Sequence, residues 1–414
     1  MTGASDDDPS GIATYSQAGA QFGLALLWTA LITLPLMAAV QEICDRTALA
    51  TGTGLGELAL KRFNRLGKYV IGVLIAALIL ANGLNIAADL VAIGSGMQLL
   101  HAGPTWIWAL LAGVLVTLLL ALGSFDRIAT VFKLLCAVLL SYFVVAVIVT
   151  RNWLQVISYA FIPHFQFSSA YIGLLVAVLG TTISPYLFFW QSAHRIEDMR
   201  TDPEGGSKVQ PLRLRSLGLA RRKLATSRAD VFTGMTFSNL VMFAIILSTS
   251  ETLHAHNKTN IQSAAQAAAS LMPFAGHFAG TIFALGFIGS GLLAVPILAA
   301  SGAAGMAGLM HRPWGFSSSI RKAPIFYALV GLGTLGGTVF SLLNTNPIQL
   351  LVFVAAINGV AAAPFLIVVM LVSGNKKIMG KHSNHRLAST IGWSTTALMA
   401  AAAVAFFATG GLGF

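Results

Sequence analysis

The sequence has very little charge and almost no cysteine. Only 9% of its 414 residues are charged, whereas soluble domains carry about 25%, so the chain lacks the polar residues that would cover a surface in water. Its two cysteines, Cys44 and Cys136, lie in apolar stretches, which argues against a disulfide framework or a cysteine-based metal site. Hydrophobic residues make up 56% of the chain and form long runs. The composition excludes disorder and predicts an integral, helical membrane protein.

The apolar runs divide into eleven segments. The first is too short to cross a bilayer, whereas most of the others approach or exceed the ~18 residues expected of a membrane-spanning helix. We therefore expect an all-α polytopic membrane protein. The expected segments are 11–21, 24–48, 69–99, 105–122, 128–149, 171–193, 231–249, 278–309, 325–343, 348–372 and 389–409.

The basic residues predict an orientation. The formal net charge is +11, and every Lys and Arg except Arg151 and Lys258 falls at one side of the expected bundle. Basic loops face the cytoplasm, so we expect a multi-pass plasma-membrane protein whose C-terminus lies outside. The net positive charge is therefore explained by the orientation of the chain in the lipid bilayer. Neither nucleic acid nor an obligate protein partner is predicted. The hydrophilic stretch 194–229 is expected to be a flexible cytoplasmic loop, too small to house an enzyme.

Two short motifs interrupt apolar segments. Asp8-Pro9-Ser10-Gly11 precedes the first segment, and Thr181-Thr182-Ile183-Ser184-Pro185 lies in the middle of the sixth. Proline removes a backbone donor and disfavours helical geometry in the residue before it, so each motif should break its helix. These segments begin the two halves of a five-plus-five arrangement, which is typical of inverted-repeat transporters. We expect a first repeat in 1–150, a second in 151–372 and an eleventh transmembrane helix in 373–414.

The polar residues of the two motifs suggest a cation site. A carboxylate at membrane depth, here Asp8, is costly unless it meets a cation or a cavity. Thr181 and Ser184 lie three positions apart, on one face of a regular helix. Their hydroxyls, a Thr181 carbonyl freed by the break, and Asp8 would together provide only oxygen ligands. Such ligands suit hard divalent cations, and magnesium also retains several waters.

The motifs resemble those of the Nramp family of divalent metal transporters, which have the LeuT-type fold. Gln17-Ala18-Gly19-Ala20-Gln21-Phe22-Gly23 is similar to the family's sequence after its Asp-Pro-Gly-Asn motif, and the segment order agrees over nearly the whole chain. The resemblance implies a LeuT-type 5+5 inverted repeat plus an eleventh helix. It also implies transport by alternating access, with the metal ion as substrate, no cofactor and no enzymatic activity. Family members have an apolar half-helix before Asp-Pro, and we expect that half-helix to be missing here.

The sequence departs from the family at the implied ligands. Aspartate is kept as Asp8, but the asparagine ligand is replaced by Gly11 and the methionine ligand by Ser184. The backbone-carbonyl ligand corresponds to Thr181, and Asn358 lies near the position of a family glutamine that contacts the metal. Two roles stay open for Asn358: a water-mediated ligand, or a partner in an interhelical hydrogen bond. Loss of the thioether removes a preference for softer metals, and loss of the asparagine leaves room for a metal-bound water. We expect Mg²⁺ as substrate, with tolerance of Mn²⁺.

Proton coupling is not expected to be strict. The family's proton route uses the motif histidine, which is Tyr186 here, together with late-helix arginines that the ninth segment lacks. Asp89 is the one acid in the third segment, and three roles remain open for it: proton carrier, partner of a ligand, or acid facing a water cavity.

The alternative function is a same-fold symporter for an amino acid or another small organic substrate. Glu42 and Arg46 are expected to form an intrahelical pair, with a place on the inner exit path as the alternative.

Overall fold

The computed structural model describes residues 6–121, 137–201, 209–342 and 346–411. Within these ranges the chain is helical and contains no strand. We label the longer helices α1 to α14 in chain order. They are α1 Pro9–Phe22, α2 Trp28–Thr51, α3 Leu55–Arg62, α4 Arg65–Leu99, α5 Thr105–Ala121, α6 Ser141–Val149, α7 Trp153–Phe161, α8 Ser169–Thr182, α9 Pro185–Thr201, α10 Leu217–Thr252, α11 Ala279–Leu309, α12 Pro324–Ser341, α13 Pro347–Ser373 and α14 Arg386–Ala408.

The helices confirm a polytopic membrane protein. In the described part of the chain, seven helical spans are long and apolar enough to cross a bilayer. The pair Pro9–Leu26 and Trp28–Thr51 passes the same test as an eighth span, but it bends by 107°. Helices Thr105–Ala121 and Val138–Val149 are apolar but shorter. The predicted fifth segment, 128–149, lies partly outside the described residues, and Cys136 lies outside them.

Both predicted helix breaks are present. Asp8 has extended backbone and caps α1, whose first residue is Pro9, as expected for a proline at the start of a helix. In the sixth segment α8 ends at Thr182 and α9 begins at Pro185, so that Ile183 and Ser184 separate two half-helices. The proline lacks the donor that would continue the helix, which explains why the break falls here.

Close backbone contact packs α8, which ends at the second break, against α13. Helix α1 contacts α8, α10 and α13. A Cβ added to Gly180 of α8 would lie 2.2 Å from the Ala355 carbonyl oxygen, and one added to Gly359 of α13 would lie 2.4 Å from the Val176 carbonyl oxygen. Only glycine permits this approach, which is the usual role of small residues between membrane helices.

The prediction of a flexible loop over 194–229 is wrong over most of its length. Helix α9 continues to Thr201, and α10 already begins at Leu217. Charged side chains such as those of Arg221 and Lys223 end an apolar run without ending a helix, because Arg and Lys are good helix formers. Hydropathy therefore placed the loop boundaries too far into the helices.

The predicted intrahelical pair in α2 is confirmed. Arg46 Nε donates to the two Glu42 carboxylate oxygens at 3.1 and 3.2 Å. The same glutamate accepts from Arg228 Nε of α10 at 3.0 Å, and Arg46 also donates to the His382 carbonyl and, at 3.0 Å, to Asn384 Oδ1. The pair thus joins α2 both to α10 and to the segment before α14.

Candidate metal-binding site

Asp8 lies at the junction of the two broken helices with 1% of its surface exposed. One carboxylate oxygen, Oδ1, accepts from Ser10 Oγ at 2.6 Å and from the Gly11 backbone N–H at 2.8 Å. The Ser10 hydroxyl belongs to the Asp-Pro-Ser-Gly motif. The Gly11 N–H is one of the backbone donors that the N-terminus of a helix leaves without an intrahelical partner. The Asp-Pro-Ser-Gly motif therefore fixes its own carboxylate at the start of α1.

The second carboxylate oxygen of Asp8 reaches other helices. Its Oδ2 accepts from the Tyr186 hydroxyl of α9 at 3.2 Å and from Asn85 Nδ2 of α4 at 3.4 Å. Asn85 Oδ1 in turn accepts from Asn358 Nδ2 of α13 at 3.5 Å. A chain of polar side chains thus connects α1, α4, α9 and α13 around one carboxylate.

Thr181 and Ser184 lie at the facing break. The Thr181 hydroxyl oxygen is 3.2 Å from Ser10 Oγ, which joins the two motifs directly. The Ser184 hydroxyl donates towards the Gly180 carbonyl at 2.6 Å and the Thr181 carbonyl at 3.0 Å. The expected freed carbonyl of Thr181 therefore contacts Ser184. One lone pair of that carbonyl and the lone pairs of the Ser184 hydroxyl remain for a ligand or its water.

Gly11 brings the helices together and supplies no side-chain ligand. A Cβ at this position would lie 3.3 Å from Thr181 Oγ1 and 3.3 Å from Tyr15 Cε2. Space beside Asp8 is therefore limited by Thr181 and Tyr15. A side chain as large as asparagine would have to displace these neighbours.

Asn85 and Ser10 were missed as site residues by the sequence analysis. Ser10 lies in the same motif as Asp8, so its place in the site could have been predicted from the sequence. The sequence gives a weaker indication for Asn85, because an amide in an apolar helix usually makes an interhelical hydrogen bond. Only the packing of α4 against α1 and α13 brings it to Asp8.

Asp89 lies one helical turn beyond Asn85 on α4. Its side chain is completely buried, and among the described residues neither carboxylate oxygen has a hydrogen-bond partner. Asn85 and Asp89 are four positions apart and therefore share one face of α4, and Asn85 donates to Asp8. Among the described residues, no three His, Cys, Asp or Glu side chains converge closely enough to hold a metal ion by themselves. A cation beside Asp8 would therefore need hydroxyl, amide, carbonyl or water oxygens to complete its shell.

This fold, in which two interrupted helices meet inside a membrane bundle, is that of secondary transporters. The family model described as "Natural resistance-associated macrophage protein-like" (Nramp) matches residues 1–409. The chain belongs to the Nramp family, whose members are metal-ion transporters and not enzymes. The metal ion is their substrate, and they are not known to need a cofactor.

Two curated relatives bear the same description. "Divalent metal cation transporter MntH" of Klebsiella pneumoniae is 25% identical over 397 residues, which covers 95% of this chain and 88% of the relative. The protein of that name in Deinococcus radiodurans is 24% identical over 394 residues, covering 93% and 83%. Both alignments extend over nearly the whole length of each protein.

Solved structures show the same fold. A point mutant of the Eremococcus coleocola manganese transporter superimposes with a TM-score of 0.75 and 16% identity, covering 97% of this chain and 84% of that one. The complex of the same transporter with an aromatic bis-isothiourea substituted compound gives the same score over 99% and 85%. The LeuT-type arrangement implied by the sequence resemblance is thereby confirmed.

Proposed function

We propose that this protein moves divalent metal cations across the plasma membrane by alternating access, with Mg²⁺ as its main substrate and Mn²⁺ tolerated. The observation that carries the proposal is the Asp8 carboxylate, buried where two interrupted helices meet. Within the described ranges no ion pair involves it. A buried, unpaired carboxylate at membrane depth is expensive, and a cation that arrives there offsets this cost.

The proposed ligands are Asp8, Thr181, Ser184 and Asn358, and Gly11 contributes no side chain because Thr181 and Tyr15 lie close to its Cα. The oxygen and amide groups around Asp8 favour a hard cation. A softer donor, the Met242 sulfur, lies 3.8 Å from the Thr182 hydroxyl, whereas the side-chain oxygens of Asp8 accept from oxygen and nitrogen donors. Because few protein ligands converge on one point, the cation would keep several waters, as Mg²⁺ usually does.

Uptake is proposed to run down the cation gradient without strict proton coupling. Tyr186 occupies the position of the family histidine and donates to Asp8, and a phenol does not exchange protons readily near neutral pH. Asp89 is the remaining buried acid on α4. If protons do accompany the metal, a pH dye inside the vesicles will report acidification in step with uptake.

The orientation and the repeat boundaries are part of the same proposal. The relatives' names are consistent with a plasma-membrane location, and the distribution of basic residues favours an orientation with the basic loops in the cytoplasm and the C-terminus outside. The proposed repeats are 1–150 and 151–372, followed by an eleventh helix in 373–414. Labelling of single cysteines introduced at 258 and 377, from each side of sealed vesicles, tests this arrangement.

The organic-substrate alternative is less well supported. In broken-helix transporters, the carboxylate of an amino-acid substrate meets a free half-helix N-terminus. Here Asp8 caps that N-terminus and accepts from Gly11 N–H, so a second carboxylate would meet negative charge.

Metal uptake into liposomes by the full-length protein and by Asp8→Ala tests the function. We expect the wild-type protein to take up Mg²⁺ and Mn²⁺, and Asp8→Ala to lose nearly all uptake because its anionic ligand is gone. Glu57→Gln, which removes a surface ion pair with Lys61, serves as the control and should leave uptake unchanged. Uptake of Fe²⁺ or Cd²⁺ that Mg²⁺ does not inhibit would refute the hard-cation assignment. Alanine transport that requires Asp8 would support the organic alternative.

A further inference from the structure

Two more buried carboxylates precede Asp8 on the chain. Asp6 and Asp7 are 0% and 1% exposed, and both contact the hydroxyl of Ser238 on α10. Ser238 Oγ lies 2.6 Å from Asp6 Oδ2 and 2.9 Å from Asp7 Oδ1. A serine hydroxyl carries one proton, so it can donate to only one of these two oxygens at a time. When both carboxyl groups are ionised, the other contact brings two oxygens together with no hydrogen between them.

Further oxygens of the same two carboxylates have no hydrogen-bond partner among the described residues. They are Asp6 Oδ1 and Asp7 Oδ2, and both are buried. In the ionised form both are acceptors only. Buried polar atoms are normally satisfied, so a group of unsatisfied acceptors indicates that a cation, with its waters, belongs among them.

The charges give the expected number of ions. Asp6, Asp7, Asp8 and Asp89 are all at most 1% exposed, and no ion pair in the described ranges includes any of them. Asp6, Asp7 and Asp8 are consecutive in the chain, and Asp89 lies one helical turn after Asn85, which donates to Asp8 at 3.4 Å. A single divalent cation would neutralise only half of the charge of four ionised carboxylates. Buried charges of one sign repel strongly.

We propose that Asp6, Asp7 and Ser238 form a second site for a hydrated divalent cation, next to the ion at Asp8. This inference rests on the proposed function, because it assumes that Asp8 binds a divalent cation. Two carboxylates and a hydroxyl suffice for an ion such as Mg²⁺ or Mn²⁺ that keeps its remaining waters. Two divalent ions would balance the four carboxylates. In the proposed orientation the second site lies on the cytoplasmic side of Asp8, since α1 runs outward from Asp8, so that an ion would occupy it on the way in.

Mn²⁺ binding to the full-length protein in detergent tests the second site. The number of bound ions is measured by equilibrium dialysis, and electron paramagnetic resonance shows whether two Mn²⁺ ions lie close enough to broaden each other's signals. We expect the wild-type protein to bind two ions with mutual broadening. Both the Asp6→Asn/Asp7→Asn double variant and Asp8→Ala should bind one ion with the sharp spectrum of an isolated Mn²⁺.

Controls separate this inference from the proposed function. Ser248→Ala changes a buried serine on the same helix whose hydroxyl donates to the Ile245 carbonyl, and this variant should still bind two ions. If the double variant does not fold, the number of Mn²⁺ ions bound by Ser238→Ala and by the wild-type protein still tests the second site. Wild-type protein that transports metal but binds one ion would overturn the second site alone, as would a double variant that still binds two. Absence of both binding and uptake would overturn the proposed function itself.

Discussion

Replacing Asp45 with alanine should loosen the end of the bundle where α2, α9 and α10 meet. The Asp45 side chain is fully buried. Its Oδ1 accepts from Arg195 Nε at 2.7 Å and from Gln191 Nε2 at 2.8 Å, and its Oδ2 accepts from the hydroxyl of Ser227. One carboxylate therefore ties three helices together, and its removal leaves three donors without an acceptor.

The expected loss of stability can be estimated from these contacts. Removing one partner of a buried ion pair costs about 3–5 kcal/mol. Arg195 is 15% exposed and keeps contacts with Asp198 at 3.2 Å and Asp230 at 3.6 Å, which places the cost at the lower end. We expect the free energy of unfolding to fall by about 3 kcal/mol, or roughly a hundredfold in the ratio of folded to unfolded protein.

Unfolding of the purified protein in mixed detergent micelles measures this change. Asp230→Ala is the matched control, because it removes a 61% exposed partner of the same arginine and should cost at most about 1 kcal/mol. The Asp45→Ala/Arg195→Ala double variant should lose less than the sum of the two single variants, since no charge remains unpaired. Equal, small losses for Asp45→Ala and Asp230→Ala would refute the reasoning.

Two further contrasts test the packing and the site. Gly359→Ala would place a Cβ 2.4 Å from a backbone oxygen and should cost about 3 kcal/mol. Gly331→Ala meets nothing within 4 Å and, inside a helix, should leave stability unchanged or raise it by up to about 1 kcal/mol in the same unfolding assay. Asn85→Leu removes a donor to Asp8 and should weaken Mg²⁺ binding about tenfold. By contrast Asn82→Leu, which loses bonds to Leu298 and Ser301, should lower stability and leave Mg²⁺ affinity unchanged. If equilibrium dialysis shows weaker Mg²⁺ binding for Asn82→Leu and unchanged binding for Asn85→Leu, Asn85 is not part of the metal site.

Local features of the sequence were sufficient for the architecture. Long apolar runs predicted the membrane helices, because a bilayer requires every backbone group to be paired within a helix. Pro9 and Pro185 predicted both interruptions, since proline acts on its own backbone and that of the preceding residue. Asp8 could be singled out because it directly precedes the proline that interrupts the first helix, and a carboxylate at membrane depth is costly. The orientation and the repeat boundaries remain predictions.

Tertiary structure decided which side chains meet. Asn85 reaches Asp8 across 77 positions, and Ser238 reaches Asp6 across 232, so no local pattern could link them. The sequence also did not predict the helix ends within 194–229 or the contacts of Asp45, because hydropathy does not show what a charged residue packs against. Charged residues end an apolar run, but whether they continue a helix or pair with another one depends on what packs against them. Hydropathy and proline act along the chain, whereas a polar cluster depends on distances that only the packed bundle sets.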